Sequence, residues 1–337
     1  MAKTMNRYTP PVTGARDVEF IGATLTGIAP RSNESAKKHR LLRDSYVSES
    51  EFKAILKRDQ RALVSAQKSF AFVSGGQLDW ADMIRPLAHS FAGFGRKDSS
   101  GEDAVGPVTR WFRTNTFYRR PSITGKLDCR PGALSEFVPS GIGKSTIFLL
   151  APYSFVKLVD DEFYHDEKKL ATEYARTIAK GADRLYRDGY RCMILTDPYV
   201  GYAQSGGEVG LPSWYHAVVS RCKAPGLKLG LNLPQAETSE VSDLLNETNL
   251  DFFGIDTTFS SPKKIETSKD ILFGLVDGAR PTIETQAGMQ RTLSQFMSHV
   301  SFSGKFYIGP NDRLYDVPFE TAIAKIKALS LFSNAVG

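Results

Sequence analysis

Polar residues stand directly after several apolar runs of the chain, at the points where buried strands would end. Carboxylates gathered in this way can bind a substrate ammonium group or a hard cation, because both favour anionic oxygen ligands. A helix cap or a turn is the commoner role for any one such residue, but convergence on one end of a sheet favours a binding site. The candidate substrate-binding residues are Gln77, Asn115, Asp197, Asp256, Asp277 and Asp312.

Other motifs of catalytic or metal-binding proteins are incomplete in this sequence. The string from Ser140 to Thr146, SGIGKST, ends like a phosphate-binding loop, but that pattern needs glycine where Val138 stands. It also needs a following helix, whereas the next residues predict a strand, so Lys144 is predicted to be a solvated turn residue. The histidines have no partner at metal-ligand spacing and the cysteines form no CxxC pair, so local motifs predict no metal site.

The composition is that of a folded globular protein. The 337 residues are 41% hydrophobic and 24% charged, and the formal net charge is +6. The basic doublets are scattered and no nucleic-acid motif accompanies them, so a nucleic-acid partner is not predicted. No apolar leader segment begins the sequence and no run reaches about 18 apolar residues, which predicts a cytoplasmic protein outside the membrane. Three cysteines (Cys129, Cys192 and Cys222) are too few for a disulfide framework and favour a reducing compartment.

Short apolar runs alternate with amphipathic stretches along the chain. Strand followed by helix, repeated about eight times, indicates parallel strands with right-handed crossovers, most economically an α/β fold with a single (β/α)8 TIM barrel. A doubly wound sheet would need a glycine-rich turn after the first strand, and residues 27–31, GIAPR, form none. The runs outnumber the positions of a barrel by one, so one run is predicted to be an excursion. They are Phe20–Gly27, Phe70–Ser74, Thr109–Phe117, Thr146–Ala151, Arg191–Thr196, Lys228–Leu233, Phe252–Asp256, Ile271–Val276 and Lys305–Ile308.

Several helix ends are marked by their residue types. Ser48 and Glu51 have the spacing of a capping box, and Asp166 can cap the next long helix. Pro318 suits a first helical position. Two further helices are predicted over Ser239–Asn246 and Gln286–Phe302.

No Pro/Gly/Ser-rich linker divides the chain. We therefore predict one barrel domain over residues 1–337, with an N-terminal extension over 1–19. The polar, glycine-rich stretch 93–106 is predicted to be a surface loop.

Seven fragments at the predicted strand ends occur in an order that resembles the cobalamin-independent methionine synthase family, over roughly residues 20–330. The resemblance implies the barrel type that methionine synthase shares with uroporphyrinogen decarboxylase. Residues 111–115 and 274–278 look more like the N-terminal barrel of that family, which lacks zinc and contributes to folate binding. The fragments are residues 24–30 (TLTGIAP), 76–83 (GQLDWADM), 111–118 (WFRTNTFY), 195–198 (LTDP), 254–258 (GIDTT), 274–278 (GLVDG) and 307–312 (YIGPND).

The family moves a methyl group from a folate to the thiol of homocysteine, with a zinc ion that activates the thiolate. Its zinc ligands are a His-x-Cys pair on one strand, a Glu on the next strand and a later Cys. Here the pair falls near Leu231, Asn232 and Leu233, the Glu position resembles Asp256, and the late Cys position resembles Asp312. Two oxygen ligands without nitrogen or sulfur partners do not make a tetrahedral zinc site, so zinc is not expected.

Two further departures concern the substrate amino group. The family's Glu after the second strand matches Gln77, and its Asp-Glu-Pro becomes Asp197-Pro198. The resemblance implies that Asp197 holds the amino group, that Gln77 and Asn115 orient substrate or pterin, and that Asp256 and Asp312 line the former metal site.

Three functions remain open at this point. The first is methyl transfer to a homocysteine-type thiol in methionine biosynthesis, by a protein that has lost the zinc site. The second is a non-catalytic subunit that binds folate or acts as a scaffold, together with a zinc-bearing paralogue or as a homo-oligomer. The third is different chemistry at the carboxylate cluster. In the first two the ligand is a small amino acid or a pterin, and a methyl-folate-type molecule is the candidate cofactor.

Overall fold

The computed structural model describes residues 7–8, 18–43, 45–80, 82–95, 106–112, 116–136, 144–207 and 210–337. The strands are β1 (Arg7–Tyr8), β2 (Val18–Ala23), β3 (Ala92–Phe94), β4 (Val108–Arg110), β5 (Phe117–Arg119), β6 (Ser122–Asp128), β7 (Ser145–Leu150), β8 (Asp160–Asp161), β9 (Tyr190–Thr196), β10 (Lys228–Asn232), β11 (Phe252–Asp256), β12 (Ile265–Thr267), β13 (Asp270–Val276), β14 (Val300–Phe302) and β15 (Lys305–Pro310). The α-helices are α1 (Asn33–Arg43), α2 (Glu49–Ala66), α3 (Arg85–Ser90), α4 (Pro152–Leu158), α5 (Glu167–Ala182), α6 (Pro198–Ser205), α7 (Tyr215–Ser220), α8 (Ser242–Asn246), α9 (Gln286–Met297) and α10 (Phe319–Val336).

A curved parallel sheet forms the centre of the molecule. Its strands follow the order β2, β15, β13, β11, β10, β9 and β7, and β1 pairs antiparallel with β2. Residues 70–73, here called the closing segment, lie between β2 and β7 and bridge to both in parallel. Ala71 N donates to Ala23 O at 2.8 Å, and Thr146 N donates to Val73 O at 3.0 Å. The closing segment therefore takes the eighth position of the barrel, and the predicted (β/α)8 fold is confirmed.

The predicted strands agree with the barrel in all positions but one. The run Thr109–Phe117 is the excursion: its two ends overlap β4 and β5, which pair antiparallel outside the barrel. The helix predicted over Gln286–Phe302 ends earlier, at Met297, because the buried side chains of Val300 and Phe302 alternate as in a strand and β14 pairs with β12. The Ser48 capping box and the Asp166 cap are confirmed, and Pro318 is the N-cap residue of α10 instead of its first residue.

The predicted domain limits fall mostly on residues that the structure does not describe. Most of the extension 1–19 and of the loop 93–106 lies outside the described residues, so both stay predictions, as does the single-domain organisation. Within the part of the chain that the structure describes, no helix combines the length and the apolar character needed to cross a membrane.

The barrel strands are buried on both faces, which explains their continuous apolar sequences. Every residue of β7 and of β11 is buried. Aromatic rings fill the interior, where Tyr307 lies 5.2 Å from Phe252 and 5.8 Å from Phe72 between ring centroids. Gly230 makes room for this layer, because a Cβ atom there would lie 2.1 Å from the Phe252 ring.

A buried cluster around Asp197 joins the end of β9 to three helices. The Asp197 carboxylate accepts hydrogen bonds from Ser154 Oγ in α4 and, at 2.8 Å, from Tyr215 Oη in α7. Ser154 Oγ accepts in turn from Tyr199 N in α6 at 2.9 Å. Because Asp197 is fully buried, removal from water raises the pKa of its carboxyl group from 3.8 to about 7, although both hydroxyl donors favour the carboxylate.

A second buried polar contact fastens the last helix to the barrel. Lys325 in α10 has no exposed surface, and its ammonium group binds both Glu284 oxygens, at 2.9 and 3.0 Å, as well as Thr282 O. Glu284 also accepts a hydrogen bond from Asp277 N at 2.9 Å, so the pair fixes the chain between β13 and α9.

Asp197→Asn should change how stability depends on pH. The folded protein retains a proton on Asp197 that the unfolded chain loses above about pH 4, so stability falls as pH rises from about 4 to about 7 and then levels off. Removing this group should make the variant gain on the order of 3 kcal/mol relative to the wild type between pH 4.5 and 7.5. Urea unfolding of both proteins across this range measures the difference, and parallel curves would contradict the assignment.

Lys325→Ala should destabilise the fold by about 3 kcal/mol, because it leaves a partly buried carboxylate without its cation. The matched control is Lys53→Ala in α2, whose ion pair with Glu49 is solvent-exposed and should contribute less than about 0.5 kcal/mol. Replacing both partners, Lys325→Met with Glu284→Gln, should recover most of the loss. Equal unfolding midpoints for the two alanine variants would show that the buried pair does not stabilise the fold.

Candidate functional site

A narrow cleft opens at the barrel mouth, the end at which the parallel strands finish. Its cavity volume is about 20 Å³. This end of a (β/α)8 barrel is where side chains from different strands can meet around one ligand. The residues that line this mouth cleft are Gly27, Ile28, Met83, Trp111, Thr196, Pro198, Asp312 and Arg313.

The mouth cleft lies across the barrel axis. Thr196 ends β9, and Asp312 follows β15. In the closed ring of eight positions, β9 and β15 are four positions apart, so these two residues face each other from opposite sides of the mouth. Trp111 comes from the excursion, directly after β4, and contributes an aromatic wall that no barrel strand supplies.

Arg313 closes one side of the cleft. Its guanidinium lies 5.4 Å from the centroid of the Trp111 ring and pairs with Asp316 at 3.2 Å. The approach of this residue to the first strand requires a glycine, because a Cβ atom on Gly27 would lie 2.7 Å from Arg313 Cβ. The Thr26 hydroxyl fixes the same segment by donating to Asp312 O at 3.0 Å.

Asp312 is the carboxylate of the mouth cleft. Removal from water raises the pKa of its carboxyl group from 3.8 to about 6, against the opposing effect of the neighbouring Arg313. One carboxylate oxygen accepts from Arg313 N at 2.7 Å. At neutral pH the group is therefore largely ionised and still able to accept a proton.

Beside the cleft, a saturated network ties together the ends of three strands. The Asp256 carboxylate accepts from Gln235 N at 2.9 Å, from Thr258 Oγ1 at 2.7 Å, and from the Asn311 side-chain amide at 3.2 Å. The Asn232 amide donates to Asn311 O at 2.8 Å. This Asp256 network connects β10, β11 and the residues after β15, and it leaves the Asp256 carboxylate fully occupied by N–H and O–H donors.

The structure thus separates the residues that the sequence predicted together. Asp312 lines the mouth cleft, whereas Asp197 and Asp256 are held in the hydrogen-bonded clusters described above. The Gln77 side chain bonds to both backbone groups of Phe148, accepting from its N at 2.6 Å and donating to its O at 3.1 Å. Asn115 lies outside the described residues.

Asp277 has a local role in the chain after β13. Its carboxylate accepts from Ala279 N at 2.9 Å and from Arg280 N at 3.2 Å, and it pairs with the Arg280 guanidinium at 3.4 Å. These are the contacts of a turn-forming aspartate.

Seven of the eight cleft residues were not among the predicted site residues, and the polar or aromatic ones among these seven are Thr196, Trp111 and Arg313. The alternation of side chains along a strand could have identified Thr196, because it separates this residue from its neighbour Asp197. No sequence signal could have placed Trp111, since its position depends on how the excursion folds over the mouth.

Comparison with known proteins identifies relatives along most of the chain. No protein-family profile matches. A methionine synthase of Sulfurisphaera tokodaii is 22% identical over 260 residues, covering 74% of this chain and 72% of its own length. A methionine synthase of Thermococcus kodakarensis is 19% identical over 308 residues, covering 88% and 87%. A 5-methyltetrahydropteroyltriglutamate–homocysteine methyltransferase of Bifidobacterium adolescentis is 23% identical over 252 residues, and the match spans 68% of this chain but only 32% of that longer protein.

Solved structures have the same architecture. A B12-independent methionine synthase from Shewanella sp. W3-18-1, in complex with selenomethionine, superimposes with a TM-score of 0.71 at 15% identity, covering 94% of this chain and 98% of the other. A putative vitamin-B12-independent methionine synthase from Listeria monocytogenes gives a TM-score of 0.64 at 14% identity, covering 96% and 99%. These likenesses establish the fold. The chain is similar in sequence to proteins named methionine synthase and similar in fold to B12-independent methionine synthases.

Proposed function

We propose that this protein transfers a methyl group to the sulfur of a homocysteine-type thiol, in methionine biosynthesis, with a methyl-folate-type donor. The observation that carries this proposal is the place of the Asp312 carboxylate, which lines an axial cleft in a barrel whose relatives are named methionine synthases. A thiol attacks as the thiolate, so the acceptor must first lose its proton.

Asp312 is the proton acceptor in this proposal. Its pKa of about 6 lies roughly 2.5 units below that of a free thiol, so proton transfer costs about 3 kcal/mol before any compensation. The Arg313 guanidinium in the cleft lining offsets part of this cost by stabilising the thiolate. The sulfur lone pair then forms the new S–CH3 bond while the methyl–nitrogen bond of the donor breaks. The electron pair stays on that nitrogen, which takes up the proton that Asp312 releases.

The residues at the family's zinc-binding positions do not fit a zinc ion. Asp256 is saturated by protein donors, and the Asn232 side chain is used in the same network. Among the described residues no group of three His, Cys, Asp or Glu side chains has a metal-binding arrangement.

The other predictions about partners follow from this reaction. The ligands are a small amino acid and a pterin-containing donor, and we propose a cytoplasmic location, which the buried free thiols of Cys129, Cys192 and Cys222 support. The curated relatives are named as enzymes, so the alternative of a non-catalytic subunit beside a zinc-bearing paralogue is not favoured.

The direct test is product formation by the purified full chain. Incubation with L-homocysteine and a methyl-folate donor should yield methionine, measured by mass spectrometry with an isotopically labelled methyl group. Absence of labelled methionine, with the protein folded and both substrates intact, would overturn the proposed function.

Asp312→Asn should lower the turnover rate by about 100-fold, because the amide cannot accept the thiol proton. In the wild type, kcat/KM should fall about tenfold per pH unit below pH 6, as Asp312 becomes protonated, and the variant should lack this limb. The matched control is Asp183→Asn, an exposed carboxylate directly after α5, where activity should not change. A wild-type acidic limb that persists in Asp312→Asn would assign the proton transfer to another group.

A further inference from the structure

We propose that Trp111 and Phe112, here called the gate, keep the barrel mouth shut in this structure and must move away from Arg313 before a reactant can reach Asp312. In the reaction proposed above the gate controls access to the mouth cleft, but its movement can be measured without that reaction. Both gate residues directly follow β4 in the excursion and belong to no barrel strand. The ring of strands can therefore stay intact while the gate moves.

The mouth cleft is too small for a reactant as it stands. Its volume of about 20 Å³ is room for one water molecule, whereas binding sites for small molecules usually measure roughly 300–1,000 Å³. Trp111 is only 4% exposed, and its ring lies 5.4 Å from the Arg313 guanidinium. The Arg313 backbone is fixed by its close approach to Gly27. Trp111 is therefore the part of the lining that can leave without disturbing the barrel.

The excursion is anchored at the end away from the gate. Tyr118 Oη donates to Leu158 O at 3.0 Å, and the Arg120 guanidinium donates to Val159 O at 2.9 Å. Tyr118 pairs with Thr109 in the hairpin, so these bonds fasten the base of the hairpin to the end of α4. The gate lies beyond that base. A fixed base with a gate at the other end is the arrangement of a hinged segment that opens over a site.

Phe112 holds the gate shut in a strained backbone conformation. Its φ angle is 46°, in the left-handed region that a bulky side chain adopts only where its surroundings compensate. The compensation comes from α6, where the Phe112 ring stacks on Tyr202 at 5.4 Å and lies 5.6 Å from Tyr199 between ring centroids. Opening breaks these ring contacts but lets the backbone relax. The shut position therefore depends on the stack against α6.

Thiol labelling of the full chain measures how often the mouth opens. Asp312→Cys places a thiol in the cleft lining, and the native cysteines are buried. This thiol should react slowly with N-ethylmaleimide while the gate is shut. Adding Phe112→Ala removes the stacked ring and should raise the labelling rate about tenfold, because the loss of ring contacts shifts the equilibrium toward the open gate. Mass spectrometry of the digested protein gives the rate at each cysteine.

Two matched variants and one internal probe control the measurement. Phe112→Tyr keeps a ring that can stack on Tyr202 and should label within about threefold of the parent. Tyr186→Ala removes a half-exposed ring before the start of β9, at the other end of the barrel, and should leave the rate unchanged. Cys192, fully buried in β9, reports global unfolding in the same samples.

Hydrogen–deuterium exchange provides a second measurement in a chain that keeps Asp312. Phe112→Ala should raise exchange in peptides that contain Trp111, whereas β9 and β15 should exchange as in the wild type. This readout distinguishes local opening of the gate from loosening of the barrel.

Faster labelling at position 312 alone, with faster exchange around Trp111, supports the gate. Rapid labelling of Asp312→Cys in the parent, or no change on adding Phe112→Ala, overturns it, as does acceleration that Cys192 shares. Neither measurement contains a substrate, so the absence of methyl transfer would overturn the proposed function and leave the gate standing.

Discussion

The backbone hydrogen bonds of the closing segment determine the geometry of everything at the mouth. Ala71 and Val73 connect β2 to β7 and so turn an open parallel sheet into a ring. Without that closure, β9 and β15 would lie far apart along one sheet, and Thr196 and Asp312 would not face each other across a common axis. The cleft is therefore a property of the closed barrel and not of any local motif.

The Asp256 network shows how this barrel satisfies a buried carboxylate with hydrogen-bond donors. Charged groups taken out of water need partners, and here main-chain N–H groups, a hydroxyl and the Asn311 amide supply them. These hydrogen bonds hold the strand ends beside the mouth cleft in place. The neighbouring Asp312 has fewer donors, and its pKa of about 6 leaves it available for proton transfer.

The sequence predicted the fold well because barrel strands carry a strong local signal. Runs such as Phe252–Asp256 are apolar on both faces. Their regular alternation with helical stretches predicts a barrel with eight strand positions. Within the candidate site, the position of Asp312 at a strand end was sufficient to predict a place at the mouth. The same reasoning could not distinguish Asp312 from Asp277, which forms a turn, or from Gln77, which bonds to the Phe148 backbone. The hydrogen bonds that each of these side chains forms depend on which residues lie next to it once the barrel has closed.

The mouth cleft combines residues that follow the first and the last strands of the barrel. Gly27 comes from the beginning, whereas Asp312 and Arg313 follow the last barrel strand, and β15 pairs with β2 to complete the ring. During synthesis on a ribosome, the earlier strands can collapse and pair as they emerge, but the mouth cleft cannot form until β15 has left the exit tunnel. Long-range pairing of this kind comes late in folding. A nascent or truncated chain that lacks β15 would therefore lack the mouth cleft, so formation of the cleft requires synthesis of the whole barrel.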